Sequence, residues 1–303
     1  MYFYLYRKHR EPLKRYLVIA NPAAGKRNNS TTLHRLRHLL NEKNVHYDFL
    51  ETSRLTSAKY LVKEEFDERY SNLTVVGGDG TLHEAINGLR DFERAIALIP
   101  IGTGNDFVKN INIGNSLEEY VDTMVSGSEI SVDLGECNGT YFINGVGVGF
   151  DGMIVKNMLS SGKMFKGMAA YYYQVIKILG TYKSRKVVFY IDGKRYEEKQ
   201  ILMIAANGTT FGGGFKLAPD ANISNGQLSV CTISQIAPMS RFYHLNKLKK
   251  GKHTSMPQVT IHEANEIIIE EGEVVGQADG EFIGKPPFHI RLNKNKLKVI
   301  QRI

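Results

Sequence analysis

Cysteine is nearly missing: the 303 residues hold two, Cys137 and Cys231. Two thiols cannot build a disulfide framework or a cysteine-rich metal site, and their scarcity fits a reducing cytoplasm. No apolar run approaches the roughly 18 residues that would span a bilayer. The N-terminal Met1-Tyr-Phe-Tyr-Leu-Tyr6 precedes Arg7-Lys8-His9-Arg10. A secretory signal carries its charge before a longer apolar stretch, so secretion is not expected. That segment reads either as an edge strand with a solvated charge run or as a membrane-surface contact. Repeats and low-complexity tracts are absent. Negative charge is also short: 31 Asp+Glu face 39 Lys+Arg, a formal net charge of +8. Nucleic acid, an anionic membrane surface or a phosphorylated small molecule would suit that excess.

What is present is an ordinary globular composition, 42% hydrophobic and 23% charged, which sets aside disorder, collagen and coiled coil. The length suggests two domains and ample core. Residues 16–110 alternate short β-type runs with helical stretches. Tyr16–Ala20, Val45–Leu50, Leu73–Val76 and Ala95–Ile99 read as strands. Leu33, Leu36, Leu39 and Leu40 recur at helical spacing, with Ser30, Thr31 or Thr32 available as N-cap, and Leu55–Tyr70 reads as a second helix. Such alternation implies a parallel sheet covered on both faces, with ligands at the carboxyl ends of its strands.

After about residue 128 the pattern becomes β-rich, with Asp192-Gly193 as a hairpin turn. A long helical stretch from about Asp151 to Leu179 and a shorter one from about Met239 to Lys250 interrupt it. The expected architecture is an N-terminal Rossmann-like parallel α/β domain over 1–128 and a C-terminal antiparallel β-sandwich domain over 129–292. No linker marks the boundary, so the domains should pack closely. The final Lys296–Ile303 is β-type, so that 293–303 could pair back onto the first domain.

Three loops at strand ends carry the chemistry. Gly77-Gly78-Asp79-Gly80-Thr81 follows a buried strand and opens a helix whose N–H groups could receive phosphate. Asp79 would repel phosphate unless Mg2+ lies between them; otherwise it is the N-cap of a glycine-rich turn. Asn21-Pro-Ala-Ala-Gly-Lys26 is not a P-loop, since Gly-x-x-x-x-Gly-Lys-[Ser/Thr] is absent from the chain. Nor does Gly-x-Gly-x-x-Gly follow the first strand, against a dehydrogenase. Gly145-Val-Gly-Val-Gly149 reads as close backbone packing. Pro100-Ile-Gly-Thr-Gly-Asn-Asp106 adds glycines, a hydroxyl and a carboxylate. Side by side, the three loops would form one cradle.

These residues resemble the catalytic domain of diacylglycerol kinases and their bacterial lipid-kinase relatives. The resemblance rests on Asn21-Pro-x-x-Gly25, Gly77-Gly-Asp-Gly-Thr81, Gly102-Thr-x-Asn-Asp106, Val132-Asp-Leu-Gly135, Asn144–Asp151, Gly212–Gly214 with Pro219-x-Ala221, and Asp279-Gly-Glu281. It spans residues 16 to about 290 and implies an NAD kinase/diacylglycerol kinase-like fold. It further implies ATP-dependent phosphoryl transfer to a lipid hydroxyl, diacylglycerol to phosphatidic acid first among the choices. By the same resemblance Asn21, Pro22, Ala23, Ala24, Gly25, Lys26, Thr52, Gly77, Gly78, Asp79, Gly80, Thr81, Leu82, His83, Glu84, Thr103 and Asn105 contact the nucleotide. Asp79, Asp106 and Asp133 look like carboxylates that hold the catalytic Mg2+, partly through water. Asp279 looks like the general base, with Glu281 as the other candidate.

Relatives often carry Asp-Gly-x-Leu where this chain has Asn225-Gly226-Gln227-Leu228. That Asp helps bind a second, structural Mg2+. A site built from Asn222, Asn225 and the Gln227 carbonyl should be weaker or empty, because an amide oxygen is a poorer ligand for a hard cation. A lipid acceptor requires docking at a membrane. Arg7–Arg10 with Lys14 and Arg15, Lys183–Lys186 and Lys247–Lys252 are the expected contacts with an anionic surface, peripheral at the inner face. Met164–Leu179 reads either as lipid entrance or as core. A cleft between the domains is the expected acceptor site. The competing readings are an NAD kinase-like enzyme, a kinase of a sphingoid base or ceramide, and a catalytically silent binding protein. No nucleic-acid module is present, so nucleic acid is not expected as a partner. A homodimer is compatible with the sequence.

Overall fold

The computed structural model describes residues 14–25, 29–160 and 168–303. Lys26, the Met1–Arg10 segment, Met164 and Phe165 therefore lie outside the described residues. Four parallel strands form the first sheet in the order β2 (His46–Glu51), β1 (Arg15–Ala20), β3 (Asn72–Gly77), β4 (Ile96–Pro100). All six residues of β3 and five of six in β1 are buried, as a strand covered on both faces requires. Helix α1 (Ser30–Glu42) buries Leu33, Leu36 and Leu40 against one face and shares that core with α4 (Leu117–Ser126). Helices α2 (Ala58–Glu65) and α3 (Asp79–Ile86) cover the other.

The helix starts differ from expectation in informative ways. Asn29, not a hydroxyl residue, is the N-cap of α1, and its side chain makes no cap hydrogen bond. Ser57 Oγ accepts the Tyr60 N–H and starts α2 three residues later than the apolar pattern suggested. That helix stops at Phe66, which turns extended, well short of Tyr70.

The second layer begins with β5 (Ser128–Cys137) and β6 (Thr140–Phe142), then β7 (Gly145–Gly149). The expected long helix is two, α5 (Phe150–Ser160) and α6 (Met168–Leu179), on either side of residues outside the description. Strands β8 (Arg185–Ile191) and β9 (Lys194–Ala206) form the hairpin at Asp192-Gly193, both with positive φ. After β10 (Leu228–Ser234) come α7 (Pro238–Lys249), β11 (Val259–Ala264), β12 (Glu266–Gly272), β13 (Gly276–Ala278), β14 (Glu281–Gly284) and β15 (Phe288–Gln301). The pairs β7–β9, β8–β9, β9–β10, β10–β11, β8–β12, β7–β13 and β12–β15 are all antiparallel.

The last strand is the hinge of the architecture. Its first part pairs with β12, while Lys296–Gln301 pair antiparallel with Ser128–Asp133, and Val299 bridges in parallel to Ile96 of β4. Hydrogen bonding thus runs from the parallel sheet through β15 into the antiparallel layer. The glycines of β7 are tight: a Cβ on Gly145 would sit 2.7 Å from the Ala205 carbonyl oxygen.

Candidate active site

Three loops leave the carboxyl ends of β1, β3 and β4 and touch. The Asn21 N–H donates to the Val76 carbonyl (2.9 Å), and its Nδ2 donates to Thr81 Oγ1 (3.0 Å). Its Oδ1 accepts the Ala23 N–H at 3.0 Å, curling Pro22, Ala23 and Ala24 into a turn. Gly25 ends the turn at φ 67°, where a Cβ would lie 2.2 Å from the Ile101 carbonyl oxygen. A Cβ on Gly102 would lie 2.5 Å from the Gly78 Cα. Glycine is required at these crossings because backbone meets backbone. The N–H groups of Ile101 and Gly102 both donate to the Gly77 carbonyl, at 2.9 and 3.2 Å. Thr52, at the end of β2, donates its N–H to Ala20 (2.8 Å), and Thr103 is exposed on the third loop.

Helix α3 starts at Asp79 with Gly78 as its N-cap, and buries Thr81, Leu82 and His83. Asp79 does not cap its own helix. Its Oδ1 accepts the N–H groups of Asp106 (2.7 Å) and Phe107 (3.4 Å), locking the second loop to the third. Burial, then the neighbouring Asp106 charge, push its carboxyl from the ordinary 3.8 to about 6. Its Oδ2 lies 2.9 Å from where a Gly104 Cβ would be, and takes no hydrogen bond from the described residues. Asp106 Oδ2 accepts the Gly213 N–H (2.7 Å), and its Oδ1 is 2.6 Å from Lys109 Nζ. Asn105 donates Nδ2 to the Gly102 carbonyl (3.0 Å), while its buried Oδ1 has no donor. Glu84 Oε2 accepts the Ala58 N–H (2.8 Å) at the start of α2.

Asp133 does not join this pair. It lies on β5 with Oδ2 accepting the Gly226 N–H (2.7 Å) and Oδ1 at 2.8 Å from Lys296 Nζ. Among the described residues no group of three His, Cys, Asp or Glu side chains converges as a metal site. The expected second site is also differently engaged. Asn222 Oδ1 accepts from Ser224 N–H and Oγ, and Asn225 Oδ1 accepts the Gln227 N–H.

Asp279, the first choice for the base, is held in a cage. Its oxygens accept the N–H groups of Ile143 (2.8 Å), Asn144 (2.9 Å) and Gly145 (3.0 Å), and its side chain is 2% exposed. It stands at φ 48° at the end of the β13 hairpin. His83 Nδ1 lies 3.4 Å from its Oδ2. Burial works to lower the His83 pKa, but the hydrogen bond to Asp279 and its charge prevail and raise it. Glu281 differs on every count. Its carboxylate accepts no hydrogen bond from the described residues, and Oε1 is 3.5 Å from a Cβ placed on Gly80 of the glycine loop. Partial burial raises its pKa against the opposing pull of His83. Glu281 is thus an open carboxyl of raised proton affinity beside the glycine loop. Asp279 is engaged by the backbone of the β6–β7 turn.

An apolar cavity, partly open to solvent, lies in the second layer between α5, α6, α7 and the strands β9 and β10. Ile154, Val175, Leu202, Phe215, Ile233 and Leu248 are among its walls, so Met168–Leu179 contributes to both a wall and the core. The space lies within one domain, not in a cleft between two. One end is polar. Asp151 there is 6% exposed, accepts Gln277 Nε2 (2.5 Å) and the Tyr171 hydroxyl, and burial raises it to about 6. Tyr171 Oη lies 2.2 Å from a Cβ placed on Gly212, whose neighbour Gly213 binds Asp106. Gln277 Oε1 accepts the Gly280 N–H (2.6 Å), between Asp279 and Glu281. The polar end of the cavity therefore borders both the Asp79–Asp106 pair and the Asp279–Glu281 turn. Gly213, Asp151 and Tyr171 fall in segments already singled out in the sequence, though without these contacts; Lys109 and Gln277 were missed. Of these two only Lys109, three residues after Asp106, offered a signal.

A glycine cradle over paired carboxylates, with a basic carboxylate opposite, defines a phosphotransferase-like site. Comparisons with known proteins agree. Residues 15–137 match the diacylglycerol kinase catalytic domain, and residues 144–301 match the YegS C-terminal NAD kinase beta sandwich-like domain. A diacylglycerol kinase of Staphylococcus carnosus (strain TM300) is 28% identical over 290 residues, 94% of each chain. One from Bacillus subtilis (strain 168) is 27% identical over 288 residues, covering 89% of this chain and 93% of its own. A solved diacylglycerol kinase structure from Bacillus anthracis str. Sterne superposes with a TM-score of 0.72 at 24% identity, over 96% of this chain and 97% of its own, and so shares the fold. The chain belongs to the diacylglycerol kinase catalytic-domain family.

Proposed function

We propose that this kinase transfers the γ-phosphoryl group of ATP to the hydroxyl of diacylglycerol at a membrane surface. The observation that carries the reading is the shared border between the glycine cradle and the apolar cavity, joined through Gly213, Tyr171, Asp151 and Gln277. A soluble acceptor would not need an apolar pocket behind the phosphate site. The curated relatives named above act on diacylglycerol by their names.

In this reading the loops at Asn21–Gly25, Gly77–Thr81 and Gly102–Asn105 hold the nucleotide, with the first N–H groups of α3 toward its phosphates. Asp79 and Asp106 fit a magnesium ion: Asp79 Oδ2 is an unengaged oxygen, and its raised pKa reflects a charge that a cation would relieve. Bound Mg2+ would supply neutralisation of the phosphate charge. Glu281 takes the proton from the acceptor hydroxyl. Asp279, fixed by three N–H groups, holds His83 and the turn that aims Glu281. Acyl chains lie in the cavity, and the hydroxyl end lies near Asp151 and Tyr171.

The rim of the cavity supports a lipid-surface approach. Helix α7 exposes Met239, Phe242 and Tyr243, and α6 exposes Tyr173 and Ile176. Lys247 lies over the Tyr243 ring and Lys249 over Tyr172, with Lys250 and Lys252 following. Among the described residues no helix is long and apolar enough to cross a membrane. Peripheral, reversible binding to an anionic surface follows from aromatic and apolar groups set among lysines.

The test is ATP-dependent phosphorylation of a panel holding diacylglycerol and sphingosine in mixed vesicles, with NAD as a soluble control. Phosphatidic acid is the expected product. Phosphorylated NAD with no lipid product would overturn the reading.

A further inference from the structure

We propose that the Lys296 ammonium is the built-in cation of the loop 222–227, so that this loop and the buried Asp133 are held together without a divalent metal. Lys296 and Asp133 are register partners on β15 and β5. Lys296 Nζ lies 2.8 Å from Asp133 Oδ1 and donates to the Ser224 carbonyl at 3.4 Å. The other Asp133 oxygen accepts the Gly226 N–H at 2.7 Å, and the Asp133 N–H donates to the Ile223 carbonyl at 2.6 Å. The carboxylate is 4% exposed. One carboxylate oxygen and one loop carbonyl therefore meet at a single cation, which is the kind of donor set a hard metal ion takes.

The local chain delivers the lysine on purpose of geometry, not by chance of a flexible arm. Leu292 pairs with Gly135, yet Lys296 pairs with Asp133, so the strand carries an irregularity between them. The Asn295 N–H closes it on Asn293 Oδ1 at 2.9 Å. Bulges of this kind re-aim a side chain. The side-chain amide oxygens that could have served a metal are engaged in local hydrogen bonds. Asn222 Oδ1 takes the Ser224 N–H and hydroxyl, each at 3.0 Å, and Asn225 Oδ1 takes the Gln227 N–H at 3.1 Å. Neither amide carries charge, and a dication beside the ammonium would be repelled. A neutral Asn225 and a cationic Lys296 form a consistent pair: one positive charge balances the one buried carboxylate.

The experiment measures thermal unfolding of the full chain without nucleotide, in EDTA and in millimolar Mg2+, with Asp79→Asn present in every protein so that the Asp79–Asp106 pair adds no ion-dependent stability; wild type then refers to residues 225 and 296. Wild type should unfold at the same temperature in both. Lys296→Met should lower Tm by roughly 5 °C in EDTA, because it leaves a buried carboxylate without its cation, while Lys296→Arg should stay near wild type. Asn225→Asp combined with Lys296→Met should unfold early in EDTA and recover most of the loss in Mg2+. A wild-type Tm that rises with Mg2+ as much as that of the double variant would overturn the proposal. So would an unchanged Tm in Lys296→Met, or a double variant indifferent to Mg2+. If the methionine variants fail to fold, the wild-type comparison and Lys296→Arg decide alone: a metal-insensitive wild type with a stable arginine variant supports the proposal, and any other pair of results overturns it.

Discussion

Replacing Asp79 with Asn should make the protein more stable and inactive at once. Asp79 is buried beside Asp106, and its carboxyl is raised from 3.8 to about 6. Holding it ionised in the folded state above that pH costs roughly 3 kcal/mol, at about 1.4 kcal/mol for each tenfold change in proton affinity. The sign follows from linkage. A carboxyl whose folded pKa is raised adds stability that is fully present below 3.8 and is lost as pH rises through about 6. Wild type should therefore lose stability between pH 4 and 7, and Asp79→Asn should lose less. The asparagine oxygen can still accept the Asp106 N–H that now reaches Oδ1 at 2.7 Å. Some of the 3 kcal/mol is spent on reorienting that contact, so a gain of about 1–3 kcal/mol at pH 8 is expected. Urea unfolding of nucleotide-free protein at pH 4, 6 and 8, with Mg2+ absent, reads it directly. Equal pH slopes for the two proteins, or a variant less stable at pH 8, would refute the reasoning.

Five further outcomes follow from the site. Glu281→Gln should cut kcat by about 10²–10⁴ with ATP affinity kept, whereas Asp279→Asn should lower stability by about 1–3 kcal/mol, since an amide NH2 would face N–H donors; retained turnover in Glu281→Gln would exclude it as the base. Arg241, 7% exposed, donates to the carbonyls of Ile236, Leu179 and Tyr182; Arg241→Met should cost about 2–4 kcal/mol in urea unfolding by leaving those acceptors unpaired. Ile233→Trp should fill the cavity and raise KM for lipid while leaving ATP binding unchanged in calorimetry. Charge reversal of Lys247, Lys249 and Lys250 should weaken sedimentation with anionic vesicles, at roughly 1 kcal/mol for each basic residue, and binding by wild type should fall as salt rises.

The parts of the site that sequence made visible are those that local chemistry specifies. A buried β run ending in Gly77-Gly78, or in Pro100-Ile101-Gly102, announces a strand end and a turn within a few residues. The order of these loops then places them at one edge of a parallel sheet. Asp279 reads as an ordinary acid in a turn, because its three N–H donors lie about 135 residues earlier in the chain. Asp133 shares that fate: its carboxylate's partners, Gly226 and Lys296, are contributed by a distant loop and the last strand. The short strands β6, β13 and β14 left no periodicity to read, with three or four residues each. The apolar cavity was hidden for another reason: its wall residues have the same pattern as the core packing around them.

The two halves of the site come from different layers, so catalysis depends on their register. Asp79 and Asp106 stand on loops of the parallel sheet; Asp279 and Glu281 stand at the β13–β14 hairpin of the antiparallel layer. Side-chain contacts bind them directly, two of them from residues of the site. Asp106 reaches Gly213, and His83 of α3 reaches Asp279. The ribbon of β5 and β15 supplies the longer lever that keeps both layers aligned. Misplacement of reacting groups by about 1 Å costs on the order of 10²-fold in rate. In the proposed reading Gln277, which does not line the cavity, therefore holds the distance that phosphoryl transfer requires, because it ties Asp151 at the cavity's polar end to the Asp279–Glu281 turn.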